Sequence, residues 1–254
     1  MFYKFMNTIF YLKSITKKYQ LLSNKYTLAL DNIDLKIKEG EFITIVGPSG
    51  CGKTTLLKIL SGIETKSSGE ILFHNPMPKL GFVFQSNTIF PWRTVEQNLT
   101  YSLELRGLSK IKRHNEAIRL SRLIGFDPES ILDKYPKELS GGETRRVALG
   151  MALAYDASVF LLDEPTSQLD FYTKDQIHEV VQNLWLKYSH FTFLFVTHDI
   201  DEAILLGNRV LIINSGKILN SLDINFSYPR KQSLLSEPVF HNYRSTIRNY
   251  YEQS

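Results

Sequence analysis

The segment that most restricts the fold of this chain is Gly47-Pro-Ser-Gly-Cys-Gly-Lys-Thr54, which matches the pattern G-x-x-x-x-G-K-[ST]. Its glycines let the backbone curl so that successive N–H groups point at phosphate oxygens, and a following helix adds the positive end of its dipole. An apolar strand pattern at Glu41–Val46 precedes the loop, and a helical pattern follows it at Thr54–Leu60. This order predicts an α/β phosphate-binding fold, in which Lys53 contacts the outer phosphates and the Thr54 hydroxyl binds Mg²⁺.

Composition excludes several classes of protein. The 254 residues are 43% apolar and 22% charged, as in globular proteins, and the net charge of +4 includes no block of Lys and Arg that would indicate a nucleic-acid groove. The single cysteine, Cys51, excludes a disulfide framework and fits a reducing compartment. Charged residues interrupt every long apolar stretch, so no transmembrane helix is predicted. The short apolar stretch Phe5–Leu12 predicts a strand rather than a signal peptide, and a chain of this kind would reach a membrane only by docking.

The remaining pattern predicts a parallel sheet with helices between its strands. Val159–Leu162 and Phe191–Val196 are continuous apolar runs, typical of strands that are buried on both faces. Shorter strands are predicted at Ile9–Ser14 and Ala29–Ile37. Residues 94–123 have helical spacing, and the helical region 94–155 between two strands is predicted to form an inserted lobe. The polar and aromatic residues 221–254 predict a cap with a helix near 236–252.

Polar residues follow both buried strands. Open α/β sheets bind ligands at the carboxyl ends of their strands. After the first strand, Asp163 is predicted to complete the Mg²⁺ shell and Glu164 to be the base that polarises an attacking water. After the second strand, His198 is expected to donate a hydrogen bond near the γ-phosphate, and it is the next candidate for the base. The other histidines are interpreted as solvated, without metal-ligand spacing: His74, His114, His178, His190 and His241.

A second anion cradle is predicted at Leu139-Ser-Gly-Gly-Glu143. Two glycines expose backbone N–H groups, Ser140 adds a hydroxyl, and a helix starts behind them. A monomer does not need two phosphate cradles for one nucleotide. Two copies that face each other head to tail could each complete the other's site.

With these motifs in order, the chain resembles the ATP-binding cassette family, the nucleotide-binding subunits of ABC transporters, over about residues 8–220. The resemblance implies a RecA-like P-loop NTPase, an α/β fold whose parallel-sheet core carries an antiparallel β subdomain and an inserted α-helical subdomain. It implies an ABC ATPase domain at 1–220, with a core lobe at about 8–85 and 156–220, a helical lobe at about 86–155, and a C-terminal tail with a short helix at 221–254.

The resemblance also implies residue roles. Tyr19 would stack on adenine, with Tyr26 as the alternative. Gln85 in Phe82-Val-Phe-Gln resembles the Q-loop glutamine. It would bind Mg²⁺ together with Thr54 and Asp163. It would also act in catalysis together with Glu164 and His198. The implied nucleotide-binding residues of the Walker A loop are Gly47, Pro48, Ser49, Gly50, Cys51, Gly52, Lys53, Thr54 and Thr55, and the implied signature residues acting on the partner's ATP are Leu139, Ser140, Gly141, Gly142 and Glu143.

Ser167-Gln-Leu-Asp170 resembles the D-loop, in which Asp170 would lie at the dimer contact. Two residues depart from the family pattern. Glu143 replaces a usual Gln at the end of the signature, and Gln168 replaces a usual Ala in the D-loop, where the change could alter coupling between the two sites.

A finer resemblance concerns Pro91-Trp-Arg93 after the Q-loop and Tyr228-Pro-Arg230 in the tail, both similar to the nitrate, sulfonate and taurine importer branch. It implies an ATPase that powers uptake of a small anion or related nutrient through a separate permease. The implied partners are a second ATP-binding subunit, taken as an identical copy, the integral-membrane permease and, indirectly, an extracytoplasmic solute-binding protein, with no nucleic acid. The implied location is the cytoplasmic face of the cell membrane. Trp92 is expected to contact the permease, and its alternative role is that of a buried hinge between lobes.

Other function classes lack their own signatures here. Cassette ATPases of DNA repair or translation usually carry a long coiled-coil insertion or two cassettes in one chain, and exporter halves usually carry membrane helices; none of these is present in the sequence. A kinase has no use for a second phosphate cradle, and the Asn/Thr-Lys-x-Asp tetrapeptide of GTPases is absent.

Overall fold

Two sheets and the helices between their strands make up the computed structural model, which describes residues 8–20, 25–73, 76–85 and 89–252. The strands are β1 (Thr8–Gln20), β2 (Tyr26–Lys38), β3 (Phe42–Val46), β4 (Ser68–Phe73), β5 (Leu80–Val83), β6 (Val159–Asp163), β7 (Thr192–Thr197), β8 (Arg209–Asn214) and β9 (Lys217–Asp223). The helices are α1 (Lys53–Leu60), α2 (Val95–Leu99), α3 (Tyr101–Leu105), α4 (Lys110–Leu123), α5 (Pro128–Ile131), α6 (Gly141–Ala154), α7 (Phe171–Lys187), α8 (Ile200–Leu206) and α9 (Pro238–Glu252).

The larger sheet has the strand order β5-β6-β7-β3-β8-β9, in which β9 alone runs antiparallel to its neighbour. Every residue of β3, β6 and β7 is buried, as their continuous apolar sequences predict. Alternate side chains enter two different cores. Phe42, Phe160 and Phe193 pack toward α2, α4, α6 and α7, whereas Ile43 and Leu161 pack toward α1 and the smaller sheet. The predicted strands at Glu41–Val46, Val159–Leu162 and Phe191–Val196 are therefore confirmed.

The smaller sheet is antiparallel, with the order β2-β1-β4. Its buried side chains, such as Leu12 and Leu35, cover the outer face of the core that contains α1. The strands predicted at Ile9–Ser14 and Ala29–Ile37 are confirmed and extend further than predicted. Residues 5–7, the start of the predicted first strand, lie outside the described residues.

Helices α2 to α6 occupy the chain between β5 and β6. Thr94 starts α2 with a capping box that it forms with Gln97. Helix α6 packs directly on β5, where a Cβ on Gly81 would lie 2.6 Å from the Cβ of Ala152, so the helix approaches the strand as closely as a glycine allows. The helical character predicted for 94–155 is confirmed.

The tail contains the predicted helix, α9, whose buried Phe240 and Ile247 pack with α8 and β8. Arg230 precedes it and is buried, and its guanidinium donates to the carbonyls of Ile204 and Gly207 at 2.7 Å each. The tail is thus attached to the end of α8. Within the described ranges, no helix combines the length and the apolar character that a bilayer span requires.

Candidate nucleotide-binding site

The loop between β3 and α1 curls tightly because its glycines lie against backbone atoms of neighbouring strands. A Cβ on Gly47 would lie 2.0 Å from the carbonyl oxygen of Ile213, and one on Gly52 would lie 2.3 Å from that of Ala29. Gly52 also has a φ of 108°, in the region that favours glycine. Larger residues would therefore displace the loop at both positions.

Lys53 turns back over this loop. Its Nζ donates to the carbonyl oxygens of Gly47 at 2.7 Å and Pro48 at 2.8 Å, although the side chain is buried. Because both partners are loop carbonyls, the ammonium group lies at the loop itself. It can therefore contact phosphate oxygens that the loop amides hold.

Thr54 and Asp163 meet directly across the site. The Thr54 hydroxyl donates to Oδ1 of Asp163 at 2.8 Å. Burial raises the pKa of the Asp163 carboxyl, although the hydrogen bond from Thr54 opposes the shift. Mg²⁺ is commonly coordinated by protein oxygens together with substrate phosphates. The adjacent hydroxyl and carboxylate oxygens are ligands of this kind. No group of three or more His, Cys, Asp and Glu side chains in the described part of the chain could hold a metal by itself.

Glu164, Gln85 and His198 come together beside this pair, from the ends of β6, β5 and β7. Gln85 Nε2 donates to Oε2 of Glu164 at 3.2 Å, and Nδ1 of His198 lies 3.6 Å from the same oxygen. Glu164 has a φ of 46°, so the chain leaves the strand geometry directly after Asp163. Strand alternation alone would send the two acids to opposite faces; this turn instead directs the Glu164 carboxylate toward Gln85 and His198.

These elements border a cleft of about 310 Å³. Its lining residues are Ser49, Gly50, Gly52, Lys53, Thr54, Thr55, Gln85 and Glu164. The predicted loop, Q-loop glutamine and base therefore meet in one cavity. The signature residues 139–143 are not part of its lining.

The signature forms the start of α6 and is built as a capping box. The Ser140 hydroxyl accepts from the Glu143 backbone N–H at 3.2 Å, and the Ser140 N–H donates to Oε2 of Glu143 at 2.7 Å. Burial acts to raise the pKa of the Glu143 carboxyl, but the hydrogen bonds with Ser140 outweigh burial and the pKa is lowered. Gln and Glu serve equally at this capping position, which explains physically why Glu143 can replace the family's Gln.

Gly142, in the same signature segment, is tightly packed against another helix of its own chain. A Cβ there would lie 2.0 Å from Cγ2 of Thr173, in the first turn of α7. Asp170 caps the same turn, since its carboxylate accepts from the Thr173 N–H at 3.1 Å and from its hydroxyl at 2.6 Å. The signature and the D-loop helix are therefore packed together. Gln168, the departure from the family pattern, is exposed and has a φ of 63°.

The two tyrosines considered for adenine stacking lie at the end of the β1–β2 ribbon. Tyr19 pairs with Thr27 and is partly buried, and Lys17 Nζ lies 4.8 Å from its ring centroid. Tyr26 pairs with Gln20 and is 64% exposed. Tyr19 stays the prediction for adenine stacking, with Tyr26 as its alternative.

The Cys51 side chain is 6% exposed and packs in the core that contains α1, with its Sγ 3.9 Å from Lys53 Nζ. Two sequence-based interpretations are wrong. His178, interpreted as solvated, is buried and bonded to Glu202 at 2.6 Å. Trp92 is 71% exposed, which excludes the alternative of a buried hinge. His74 lies outside the described residues.

The buried acid Glu202 was not predicted from the sequence. It accepts hydrogen bonds from Thr166 at 2.5 Å and from Thr197. The available signal was a glutamate inside Glu202-Ala-Ile-Leu-Leu, an otherwise apolar helix segment next to His198. Its partners on other elements cannot be inferred from such a segment.

The chain is similar to known proteins in both sequence and structure. A family model described as ABC transporter matches residues 30–167. The aliphatic sulfonates import ATP-binding protein SsuB of Bacillus thuringiensis subsp. konkukian (strain 97-27) is 41% identical over 230 residues, 88% of each protein. SsuB of Bacillus subtilis (strain 168) is 38% identical over 248 residues, 95% of this chain and 94% of that protein.

Two solved structures extend the comparison. The dimeric post-hydrolysis state of the ATP-binding cassette MJ0796 bound to ADP and Pi is 31% identical, with a TM-score of 0.75 over 86% of this chain and 100% of that chain. CbiO1 of Clostridium perfringens, part of the ABC transporter complex CbiONQ, is 25% identical, with a TM-score of 0.76 over 97% of this chain and 98% of that chain.

Proposed function

The chain belongs to the ABC transporter family of ATP-binding proteins and is an ATPase of that family, and from that premise we propose that it powers solute uptake through a separate permease. The fold class expected from the resemblance is confirmed by the same comparisons. We further propose the division into a core lobe at about 8–85 and 156–220, a helical lobe at about 86–155 and a tail at 221–254. The protein would act at the cytoplasmic face of the membrane.

The observation that carries this proposal is the separation of two anion cradles. The cleft at the Walker A loop is lined without any signature residue, while Ser140 and Gly141 are exposed at the start of α6. An exposed helix start with free N–H groups favours a phosphate. In a head-to-tail pair, the signature of one chain would close the cleft of the other. The similar cassette MJ0796 is dimeric in its ADP and Pi state.

In this site each side chain has a separable role. The loop amides and Lys53 would bind the phosphates. Glu164 would be the base, which accepts a hydrogen bond from the attacking water and polarises it. Gln85 and His198 flank the Glu164 carboxylate and would orient it and contact the γ-phosphate. Thr54 and Asp163, with Gln85, would hold Mg²⁺, which when bound neutralises the developing phosphate charge.

A pair of variants matched in shape but different in charge tests the head-to-tail arrangement. Asp and Asn cap helices about as well as Ser, so Ser140→Asp and Ser140→Asn both preserve α6. Only Ser140→Asp places a negative charge against the partner's γ-phosphate. Turnover should fall at least about 100-fold in Ser140→Asp, as for loss of one transition-state donor, with the ATP affinity of the monomer unchanged. Equal turnover in the two variants would contradict the arrangement.

The solute is proposed to be an aliphatic sulfonate or a related small anion such as nitrate or taurine. Support comes from the relatives named for aliphatic sulfonate import, which match most of the chain. The test is uptake of a labelled alkanesulfonate by vesicles that contain the chain, its permease and a solute-binding protein, with nitrate and taurine as competitors. Uptake should require ATP inside and disappear with Glu164→Gln. Uptake that persists with that variant would refute the coupling.

The permease is proposed to dock at a groove of about 560 Å³ in the helical lobe. Trp92 lines this groove and is exposed, with its ring 5.7 Å from that of Phe90. Arg93 and Arg113 both pair with Glu104 there, at 2.8 and 3.0 Å. An exposed tryptophan beside ordered charges is typical of a protein-binding surface.

A further inference from the structure

A buried polar network lies behind the candidate site, separate from the groups that would touch nucleotide. Its centre is the Glu202 carboxylate, which is bonded to His178 Nε2 at 2.6 Å, to the Thr166 hydroxyl at 2.5 Å and to the Thr197 hydroxyl. All four side chains are buried. Burial acts to raise the pKa of Glu202, but the hydrogen bond and charge of His178 and the bonds from both threonines outweigh it, and the pKa is lowered.

The network joins the segments that position Glu164 and His198. Thr166 follows Glu164 by two residues, and Thr197 directly precedes His198. Glu202 belongs to α8, the helix that starts after His198, and His178 belongs to α7, the helix that Asp170 caps. The Thr197 hydroxyl also accepts from the Asp199 N–H at 3.0 Å, which fixes the turn that carries His198.

We propose that His178 and Glu202 are positioning residues, which hold the Glu164 and His198 segments in a fixed relation to the D-loop helix. A buried carboxylate that accepts three hydrogen bonds is costly to leave partly satisfied, so the groups around it move together. His178 is the member of the network that lies on α7. The inference rests on the proposed roles of Glu164 and His198.

Gln182 supplies the comparison that separates positioning from general packing. It lies one turn after His178 on α7, and both side chains are 5% exposed. Gln182 is also fully engaged, with the backbone of Arg230 at 2.8 and 3.1 Å. Its partners belong to the tail, however, whereas the partner of His178 belongs to the catalytic segments. Replacing Gln182 therefore removes equally buried polar contacts of α7 without removing a bond to the catalytic segments.

The experiment compares His178→Leu, His178→Gln and Gln182→Leu in the full chain, by steady-state ATPase kinetics and by melting temperature. His178→Leu should lower kcat by about 10- to 100-fold, the scale expected for misplaced catalytic groups, with KM for ATP nearly unchanged. His178→Gln, which can donate to Glu202, should recover most of the loss. Gln182→Leu should stay within about threefold of the wild type in kcat. Equal losses of kcat in the two leucine variants, or no rescue by glutamine, would overturn the proposal.

Thr166→Val provides a second variant if His178→Leu does not fold, because it removes one hydroxyl at nearly constant shape. It should again lower kcat without raising KM, and an unchanged kcat would count against the network. Glu164→Gln and His198→Ala are measured in the same assays, as controls for the site assignment. If those two keep full turnover, the site assignment fails. If they lose turnover while His178→Leu and Thr166→Val do not, only the positioning role fails.

Discussion

Lys53 holds its ammonium group at the phosphate loop by donating to two loop carbonyls. Lys53→Ala should lower ATP turnover by at least about 100-fold, since a charge-assisted contact that strengthens in the transition state is lost. Phosphate-release kinetics on purified protein measure this, with Lys66→Ala, an exposed lysine outside the cleft, as the control. Near-normal turnover of Lys53→Ala would remove the loop from the active site.

Cys51 should react slowly with thiol reagents in the folded protein. Burial raises the pKa of its thiol above the ordinary value of 9.0, despite the nearby Lys53 ammonium, so the thiolate fraction at pH 8 falls. Alkylation should therefore be many times slower than in urea-unfolded chain and should be slowed further by ATP, which stabilises the loop. Cys51→Ser should keep its activity. Alkylation at the rate of an exposed thiol would contradict the core position of this side chain.

Single residues were predictable where one short segment carries both the chemistry and its geometry. The loop from Gly47 to Thr54 contains its own strand, turn and helix, so the position of Lys53 follows from sequence. The burial of His178, by contrast, could not be predicted from its local sequence. Its partner Glu202 is 24 residues away on another helix, and nothing in the local pattern distinguishes a histidine that faces a buried acid from one that faces water.

Among the elements, the start of α6 gives a prediction with a defined pH dependence. The folded-state pKa of Glu143 lies below its ordinary value of 4.5. The ionised carboxylate therefore adds stability above about pH 4.5, and this contribution is lost as the pH falls through the lower folded-state pKa. Glu143→Gln keeps the capping bonds but loses the charge at the helix start, a difference of about 0.3–1 kcal/mol.

The measurement is the difference in melting temperature between wild type and Glu143→Gln across the pH range. The wild type should be slightly more stable at pH 7, and the difference should shrink as the pH falls below 4.5. A difference that does not change with pH would mean that the Glu143 charge does not act on α6. Turnover should remain close to that of the wild type, because the Ser140 cradle is unchanged.

The three central strands β3, β6 and β7 were predicted from uninterrupted apolar runs. β8 was missed although it contains the buried apolar run Val210-Leu-Ile-Ile213. The other missed strands carry weaker patterns. β5 has only four residues, Leu80–Val83, and β9 alternates exposed and half-buried positions at the edge of the sheet. β4 is mostly exposed and depends on pairing with β1. Their strand character comes from partners distant in sequence, which local periodicity does not contain.

For the whole molecule, the proposed permease groove makes Trp92 the residue to change. Trp92→Ala should reduce recovery of the chain with permease-containing membranes by at least about tenfold, since tryptophan is enriched among interface residues whose truncation costs about 2 kcal/mol or more. Basal ATPase activity should be nearly unchanged. Ile111→Ala is the matched control, because Ile111 is 76% exposed on the same lobe but does not line the groove. Equal loss of recruitment in both variants would place the docking surface elsewhere.

Glu164→Gln tests the head-to-tail dimer and the base together. Glutamine matches glutamate in shape, so the turn after β6 should persist, while loss of the general base lowers turnover by about 10²–10⁴-fold. Lys53, Thr54 and Asp163 would still bind ATP, and the partner's signature could still reach its γ-phosphate. The variant should therefore remain dimeric with ATP and monomeric with ADP, because ADP lacks the phosphate shared by both cradles.

Size-exclusion chromatography with light scattering, run with each nucleotide in turn, distinguishes the possible outcomes. Adding Ser140→Asp to the Glu164→Gln variant should abolish the ATP-dependent dimer, whereas adding Ser140→Asn should retain it, because the two changes differ chiefly in charge. If Glu164→Gln stays monomeric with ATP, adding Gln168→Ala separates two causes. If the double variant dimerises, Gln168 in the D-loop weakens the dimer interface. If the double variant also stays monomeric with ATP, the head-to-tail arrangement is contradicted. Retained turnover in Glu164→Gln would instead transfer the role of base to His198, whose Nδ1 lies 3.6 Å from the same carboxylate oxygen.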